Sequence, residues 1–270
     1  YPRAFLKTDG SSNYTIKKDY PVKHAGVPSV NVSPLVYEDP DHSIGTVGSA
    51  GQLATYGALV AGDFPGAASL SSFYSLNTDG TDGSANGRSI LTVAGTPKFN
   101  SVGFFGRENV STWDNVSSLA RTSDTFFDVN LATEAISIGA WGYRNNWADS
   151  TGSQIWFELG VPGAAVGLLF NSATFINVNY ASVNAITAST AHLSSGWHHV
   201  VQTINAGTAK LYFDGQLVAT ATGVSGNVTG GRIYIGAEGT SAGWVGSLQD
   251  AFVTKQALTE SQVNLLYSKR

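Results

Sequence analysis

The stretch from residue 196 to residue 215 constrains the fold most, because it has the composition of two β-strands, each followed by a short turn. Residues 197–204 are rich in aromatic and β-branched side chains, and the same composition resumes at residues 210–213. Asp214-Gly215 is the residue pair typical of a two-residue hairpin turn of type I′, since both turn positions need positive φ. The stretch therefore predicts consecutive antiparallel strands joined by tight turns.

Further extended segments lie upstream at the short spacing of a β-sandwich. The predicted strands are residues 89–94, 136–143, 154–159, 166–170 and 174–180. In the third of them, simple alternation places Ile155, Phe157 and Leu159 on one face and Trp156 and Glu158 on the other. We expect the first set to face the core.

A short helix is predicted near the C-terminus. Thr259 and Gln262 have the spacing of a capping box, and Val263, Leu266 and Tyr267 then form one apolar stripe. A helix of about ten residues is too short to be stable alone in water. We therefore expect it to dock on the sandwich.

Composition favours one large all-β body and excludes several other classes of protein. Of the 270 residues, 42% are hydrophobic, 13% are charged and 31 are glycine, which favours a turn-rich β-protein over a helical one. The net charge is −4 and the basic residues are scattered, so we predict no nucleic-acid partner. No apolar run is long enough to span a membrane, so we also predict no membrane partner. The absence of cysteine excludes disulfides and thiolate catalysis.

Residues 1–65 are predicted to form an extended arm that ends in a Gly/Ala-rich linker, with the sandwich over residues 66–270. Five of the eight prolines lie in the first 40 residues, and proline confines extended segments to sheet edges. An arm with many apolar side chains needs a surface, which is either a neighbouring subunit in a homo-oligomer or its own domain. The residues predicted to make this contact are Tyr1, Phe5, Leu6, Tyr14, Tyr20, Leu35 and Tyr37.

Several motifs, taken in order along the chain, resemble those of laminin-G-like, concanavalin A-like jelly-roll domains. These motifs are residues 73–83, 98–106, 134–143, 197–201, 211–218, 232–236, 246–253 and 257–263. The resemblance covers roughly residues 70–268 and implies an antiparallel two-sheet sandwich with a terminal helix. Because this architecture is found in lectins, glycosidases, lyases, adhesion modules and virion appendages, the resemblance implies a fold and leaves the ligand open.

The sequence contains no residues at a spacing typical of catalysis. Glycoside hydrolysis needs two carboxylates about 5 to 9.5 Å apart, whereas Glu134, Asp149 and Glu158 lie on separate segments. His198 and His199 are neighbours in a predicted strand, so their side chains should point to opposite faces and cannot hold one metal ion. We therefore predict that the protein is not an enzyme.

Calcium is the cofactor for which the sequence offers candidate ligands. Asp79 and Asp82 place two carboxylates in one Gly-containing loop, although Asp-Gly pairs are also ordinary turn residues. Domains of the resembled family often have an acidic pair in the penultimate strand. Here Gln249 stands at the first of these positions and only Asp250 is acidic, which argues against a calcium site inherited from the family.

Three tryptophans are candidates for stacking on sugar rings. Trp113, Trp147 and Trp244 lie among Gly, Ser, Asn and Asp residues, as loop residues that contact a glycan commonly do. Each of them could instead be packed in the interior.

The leading functional hypothesis is a non-enzymatic structural protein of a phage-type virion, either a capsid decoration or a tail appendage. The arm would hold other virion proteins, and the jelly roll would contact host-surface glycans from the virion surface. The aromatic arm, the sparsely charged composition and the likeness of residues 77–83 and 98–99 to phage laminin-G-like domains favour it. The alternatives are an extracellular bacterial carbohydrate-binding module and, third, a polysaccharide-cleaving enzyme.

Overall fold

The computed structural model divides the chain into two compact units, Tyr1–Gly57 and Ala58–Arg270. The boundary predicted from composition, between residues 65 and 66, lies slightly after this division. The structure describes residues 6–8, 14–16, 35–39, 43–47, 62, 64–65, 70–76, 79–102, 108–114, 118–121, 125–144, 146–147, 153–161, 164–171, 174–179, 186–190, 193–237 and 243–268.

The first unit contains two antiparallel pairs of short strands. Strand β1 (Leu6–Thr8) pairs with β2 (Tyr14–Ile16), and β3 (Leu35–Asp39) pairs with β4 (Ser43–Val47). Of the residues predicted to bind a partner, Leu6, Tyr14, Leu35 and Tyr37 lie on these strands, but their side chains are outside the described part of the structure. Tyr1, Phe5 and Tyr20 lie outside the described residues altogether. The partner-binding arm stays a prediction.

The second unit contains seventeen strands and one α-helix among its described residues. In chain order they are β5 (Leu70–Tyr74), β6 (Leu91–Ala94), β7 (Lys98–Val102), β8 (Glu108–Asp114), β9 (Ser118–Arg121), β10 (Val129–Asn130), β11 (Ala135–Arg144), β12 (Ser153–Val161), β13 (Ala164–Asn171), β14 (Thr174–Asn179), β15 (Ile186–Ser189), β16 (Gly196–Asn205), β17 (Thr208–Phe213), β18 (Gln216–Thr222), β19 (Asn227–Val228), β20 (Ile233–Ile235), β21 (Val245–Thr254) and α1 (Glu260–Ser268). Every pairing between them is antiparallel.

Two large sheets form the body of the second unit. The first has the order β18-β17-β16-β11-β21-β8-β7, with β5 also paired to β21, and the second has the order β15-β14-β13-β12-β20-β9-β6. The apolar side chains of β11 and β16, such as Ile136, Ile138 and Val200, share one buried cluster with Phe157 and Leu159 of β12. Each such side chain contributes roughly 1.5–3 kcal/mol when it is fully buried. The predicted antiparallel β-sandwich is confirmed.

The Asp214-Gly215 turn of the 196–215 stretch has the predicted geometry, and a second turn in this stretch has the same geometry. Asp214 and Gly215 have φ values of 48° and 79°, and they connect β17 to β18. Ala206 and Gly207, with φ values of 42° and 80°, connect β16 to β17 in the same manner. Positive φ at both central residues matches the right-handed twist of the flanking strands, so these turns fix the register of three neighbouring strands.

The C-terminal helix packs on the opposite face of the first sheet from the main core. It begins with the predicted capping box, since the Thr259 N–H donates to Gln262 Oε1 at 2.8 Å and the Gln262 N–H donates to Thr259 Oγ1 at 3.3 Å. No helix in the described part of the chain is long and apolar enough to cross a membrane. The buried cluster beneath the helix contains Phe64, Leu70, Phe73, Val201, Tyr212, Phe252, Leu258, Val263 and Leu266.

Phe64 shows that part of the predicted linker belongs to this cluster. Its side chain is 4% exposed, and its ring centroid lies 5.2 Å from that of Phe73 and 5.0 Å from that of Phe252. The packed body of the second unit therefore begins before residue 66.

The predicted face assignment of β12 is partly wrong because the strand contains a β-bulge. The register against β13 shifts between Ile155 and Phe157, so Trp156 is the extra residue. As a result, Trp156 joins Phe157 and Leu159 in the main core, whereas Ile155 is buried outside that cluster. Glu158 is also fully buried.

Candidate functional site

Trp147 and Trp244 lie in the interior of the sandwich, where no sugar can stack on them. Both are 0% exposed. The Trp244 ring stacks on Trp156 with centroids 5.5 Å apart, and the Trp147 ring lies 5.7 Å from Trp244 and 6.0 Å from Phe170. The prediction that these two tryptophans bind glycans by exposed stacking is therefore wrong. Polar neighbours in sequence therefore do not distinguish an exposed tryptophan from a buried one.

Trp113 has a described backbone position only. It lies on β8 and pairs with Gly246 of β21. Its side chain is outside the described part of the structure, so its role in glycan binding stays a prediction.

A buried arginine completes the aromatic cluster of the interior. The guanidinium carbon of Arg144 lies 4.5 Å from the centre of the Phe170 ring and 4.9 Å from that of Trp244. Cation–π contacts of this kind are worth about 2 kcal/mol when the cation is desolvated. Arg144 is 7% exposed, so these contacts stabilise the end of β11 and do not form a ligand site.

The carboxylate of Asp82 organises the loop in which a calcium site was predicted. Oδ1 accepts the N–H groups of Phe73 and Ser84 at 3.0 and 2.9 Å, while Oδ2 accepts the Arg88 N–H at 2.7 Å and the Ser84 hydroxyl at 2.9 Å. Asp79 is exposed and its Oδ1 accepts the N–H of Thr81 at 2.8 Å. Four donors already satisfy Asp82, so a calcium ion would have to displace protein hydrogen bonds.

No group of three or more His, Cys, Asp or Glu side chains converges on a possible metal position within the described ranges. Asp250, the one acid of the pair expected from the family, is fully buried at a bulge of β21, the last described strand, and has a φ of 52°. Its backbone N–H donates to Ser75 O at 3.3 Å. Calcium binding therefore has no support from the geometry of these residues.

His198 and His199 point to opposite faces of the first sheet, as alternation predicts. The His198 ring lies 5.1 Å from Trp147 in the interior, whereas the His199 ring stacks 4.8 Å from Trp141, next to Tyr267 of the helix. His198 Nδ1 lies 2.6 Å from Asp214 Oδ2, and its Nε2 lies 3.1 Å from Ser194 O. With both ring nitrogens engaged, His198 is a structural group and not a base.

Asp214 connects the hairpin turn to the neighbouring strand through both carboxylate oxygens. Oδ2 lies 2.6 Å from Nδ1 of His198, and Oδ1 accepts the His199 N–H at 2.8 Å. Burial raises the pKa of Asp214, but the hydrogen bond and the charge of His198, with the His199 N–H, outweigh burial and lower the pKa overall. The ionised carboxylate is therefore the form that stabilises this turn.

The predicted separation of the other carboxylates is compatible with the described structure. Glu134 accepts the Asn130 N–H on Oε2 at 2.6 Å and so holds the turn before β11. Glu158 is on β12 in the second sheet, and Asp149 lies outside the described residues.

A pair of half-buried rings lies on the outer face of the first sheet, beyond the row contacted by the helix. Tyr143 and Trp197 are directly opposite each other on β11 and β16, with ring centroids 5.7 Å apart and planes tilted by 53°. Ser247 of β21 is the next residue in the same row. We call Tyr143, Trp197 and Ser247 the Trp197 platform.

The position of the platform follows from strand alternation. Trp141 and His199 are two residues from Tyr143 and Trp197 along the same strands, so all four share the face on which Tyr267 stacks. Ser195 is exposed and immediately precedes β16, two residues before Trp197, and Ser194 and Asn146 nearby in sequence are also exposed. Analysis of the sequence missed Trp197 as a candidate because it lies inside a predicted strand. Alternation along residues 197–201 nevertheless places Trp197 on the face opposite His198, away from the core.

Comparison with known proteins gives a family and a set of related structures. A family model described as the concanavalin A-like lectin/glucanases superfamily matches residues 114–264, which is more than half of the chain. No curated protein sequence matches the chain. The predicted concanavalin A-like resemblance is therefore confirmed, while a phage context is not.

Two solved structures illustrate the fold similarity. Domain 4 of AbnA, an extracellular arabinanase from Geobacillus stearothermophilus solved with arabinotriose, has 17% sequence identity and a TM-score of 0.57, over 73% of this chain and 98% of that one. The ligand binding domain of botulinum neurotoxin serotype D, solved with N-acetylneuraminic acid, has 14% identity and a TM-score of 0.58. That match covers 75% of this chain and 51% of the toxin chain. At these identities the similarity shows the fold alone.

Proposed function

The chain belongs to the concanavalin A-like lectin/glucanases superfamily, and from this membership we propose that it is a non-catalytic module that binds glycans on the Trp197 platform. The observation that carries the proposal is the pair of partly exposed rings, Tyr143 and Trp197, on one row of the first sheet. Aromatic rings bind the apolar C–H face of a sugar, and hydroxyl or amide groups around them orient its oxygens. Ser247 in the same row and Ser195, two residues before Trp197, offer hydroxyl groups for the second task.

Two further considerations support a binding function without catalysis. The arabinanase domain and the ligand binding domain of the toxin were each solved with a saccharide, and this chain is similar in fold to both. In this chain, Asp82, Glu134 and Asp214 each hold a turn or loop through backbone N–H groups. A carboxylate that holds the fold is poorly suited to transfer protons to a substrate.

The test is a glycan array followed by titration calorimetry on the glycan that binds best. Trp197→Ala is expected to weaken binding about tenfold or more, since a stacking ring contributes roughly 1.5 kcal/mol beyond its buried area. Leu265→Ala is the matched control, because Leu265 is 46% exposed on the helix and lies outside the platform. Chelation of calcium is expected to leave the affinity unchanged. Equal affinity of Trp197→Ala and the unchanged chain would refute the assignment of the platform.

The finer placement of the protein on a phage-type virion is a separate proposal. It depends on residues 1–65 binding other virion proteins or further copies of the chain, and the aromatic and proline content of that segment supports it. An extracellular carbohydrate-binding module is the alternative placement. Copurification of the full chain with virions would support the virion placement, and copurification with secreted enzymes would support the extracellular one.

A further inference from the structure

The Trp197 platform is one end of a longer row of residues that crosses five strands of the first sheet. Trp197 of β16 lies opposite Tyr143 of β11, which lies opposite Ser247 of β21. On its other side, Ser247 lies opposite Thr112 of β8, and Thr112 lies opposite Lys98 of β7. We call these five residues the cross-strand row. Because directly paired residues of antiparallel strands share one face, the register places all five positions on the outer face of the sheet.

The residues next to Ser247 and Lys98 fix the direction of these two side chains. Leu248 belongs to the main core, so Ser247, the residue before it, faces away from that core. Phe99 packs against the same core, and Lys98, which precedes it, is exposed. Among the described residues, none forms a hydrogen bond or an ion pair with the Lys98 ammonium. The row therefore ends in an accessible hydrogen-bond donor.

The chemistry of the row changes from one end to the other. The half-buried rings of Trp197 and Tyr143 form the first end, the Ser247 hydroxyl follows, and the Lys98 ammonium forms the last. Rings contact the apolar face of a sugar, whereas hydroxyl and ammonium groups form hydrogen bonds to its oxygens. Val245, two residues before Ser247 on β21, is 46% exposed and adds apolar surface beside the row. Contacts of both kinds are therefore available along its length.

The length of the row matches a chain of sugars better than a single one. Neighbouring strands lie about 4.8 Å apart, so the row spans about 19 Å, which is close to the length of about four linked sugar rings. A disaccharide that stacks on the platform ends near β21 and does not reach Lys98. The backbone groups of the middle strands are already paired within the sheet, so a peptide cannot bind there as an added strand.

We propose that the cross-strand row binds a linear oligosaccharide of about four units, which lies across the strands from Trp197 to Lys98. Lys98 determines the preference for chain length, because it contacts only a ligand that stacks on the platform and continues across β21 and β8. This inference rests on the proposed glycan-binding function and adds to it the length and direction of the ligand.

The test is a chain-length series, with binding to the full chain measured by titration calorimetry. The probes are linear cello-, chito- and arabino-oligosaccharides, each from the monosaccharide to the hexasaccharide. In at least one series, affinity is expected to rise up to about the tetrasaccharide and then to level off. The tetrasaccharide is expected to bind about tenfold or more tightly than the disaccharide, because each added unit makes contacts that the shorter ligand lacks.

A variant of Lys98 tests the far end of the row. Lys98→Ala is expected to weaken binding of the tetrasaccharide about fivefold, which is typical of the loss of one hydrogen bond, and to leave binding of the disaccharide unchanged. Lys210→Ala is the matched control, because Lys210 lies on the same sheet but pairs with Thr203, near the opposite end of β16 from Trp197. It is expected to leave both affinities unchanged. Thermal unfolding of both variants checks that the fold is retained.

The Trp197→Ala variant separates failure of this inference from failure of the proposed function. Disaccharide and tetrasaccharide that bind equally, or a tetrasaccharide that binds Lys98→Ala as tightly as the unchanged chain, would overturn the inference. If Trp197→Ala still weakens binding in either case, the platform stands. No binding of any linear probe would also overturn the inference, while a different glycan that binds on the array through Trp197 would keep the platform. Binding that Trp197→Ala leaves unchanged would refute the platform and the row together.

Discussion

At the scale of single residues, polar groups that look functional in the sequence hold turns in the structure. Asp214 was predicted only as a turn residue, and its positive φ confirms that prediction. Its bonds to His198 and to the His199 N–H could not be predicted, because they depend on which residues of β16 lie beside the turn. The same reason explains Asp82: a loop carboxylate that binds N–H groups and one that binds calcium have the same sequence neighbours.

Asp214 makes a prediction about stability and pH. Because its pKa is lowered in the folded protein, its contribution to the free energy of unfolding is present above the unfolded pKa, near 3.8, and is lost as pH falls through the lowered folded value. Asp214→Asn keeps a residue that tolerates positive φ but removes the charge. Urea unfolding at pH 7 is expected to show a loss of about 1–2 kcal/mol, and at pH 3 a smaller loss.

The control for this measurement is Asp79→Asn, since Asp79 is exposed and bonds only within its own turn among its described contacts. That variant is expected to change stability by less than about 0.5 kcal/mol at either pH. A loss for Asp214→Asn that is equally large at both pH values would contradict the stabilising role of the ionised carboxylate.

At the scale of strands and helices, sequence patterns predict where each element lies better than they predict which side chains face the core. Composition and spacing located β11, β12 and β16, and the capping box with its apolar stripe located α1. Alternation failed inside β12, because a bulge turns Trp156 into the core and shifts Ile155 out of it. A bulge is decided by the neighbouring strand and by the space available for the extra side chain, so one strand's sequence does not contain the information.

The space for Trp156 is provided by Gly142 of β11, which leads to a second prediction. A Cβ atom at residue 142 would lie 2.4 Å from Cζ2 of Trp156, and that ring is fully buried and cannot move aside. Gly142→Ala is therefore expected to lower the free energy of unfolding by about 1–3 kcal/mol, measured by urea denaturation. Gly62→Ala, where a Cβ would meet nothing within 4 Å, is the control and is expected to be close to neutral. Equal stability of the two variants would show that the packing of Trp156 against β11 is not tight.

At the scale of the whole molecule, the first sheet uses its two faces differently. Its inner face belongs to the sandwich core, while its outer face is covered by the helix at Tyr267 and carries the Trp197 platform in the following row. Sequence analysis predicted the sandwich and the docked helix, but it looked for the ligand site in loops. The Trp197 platform, which we propose as that site, lies instead on three neighbouring strands of the sheet.

The division of the chain into two units gives the last prediction, because the second unit contains both buried clusters described above, including Phe64. A chain that starts at Ala58 keeps all of those residues, so it is expected to unfold cooperatively and to bind glycans with unchanged affinity. If residues 1–57 mediate self-association, light scattering will give an oligomer for the full chain and a monomer for the shortened one. A shortened chain that unfolds without cooperativity would show that the second unit needs the first for its stability. A monomeric full chain would contradict the predicted homo-oligomer. The arm would then bind a different partner or its own domain.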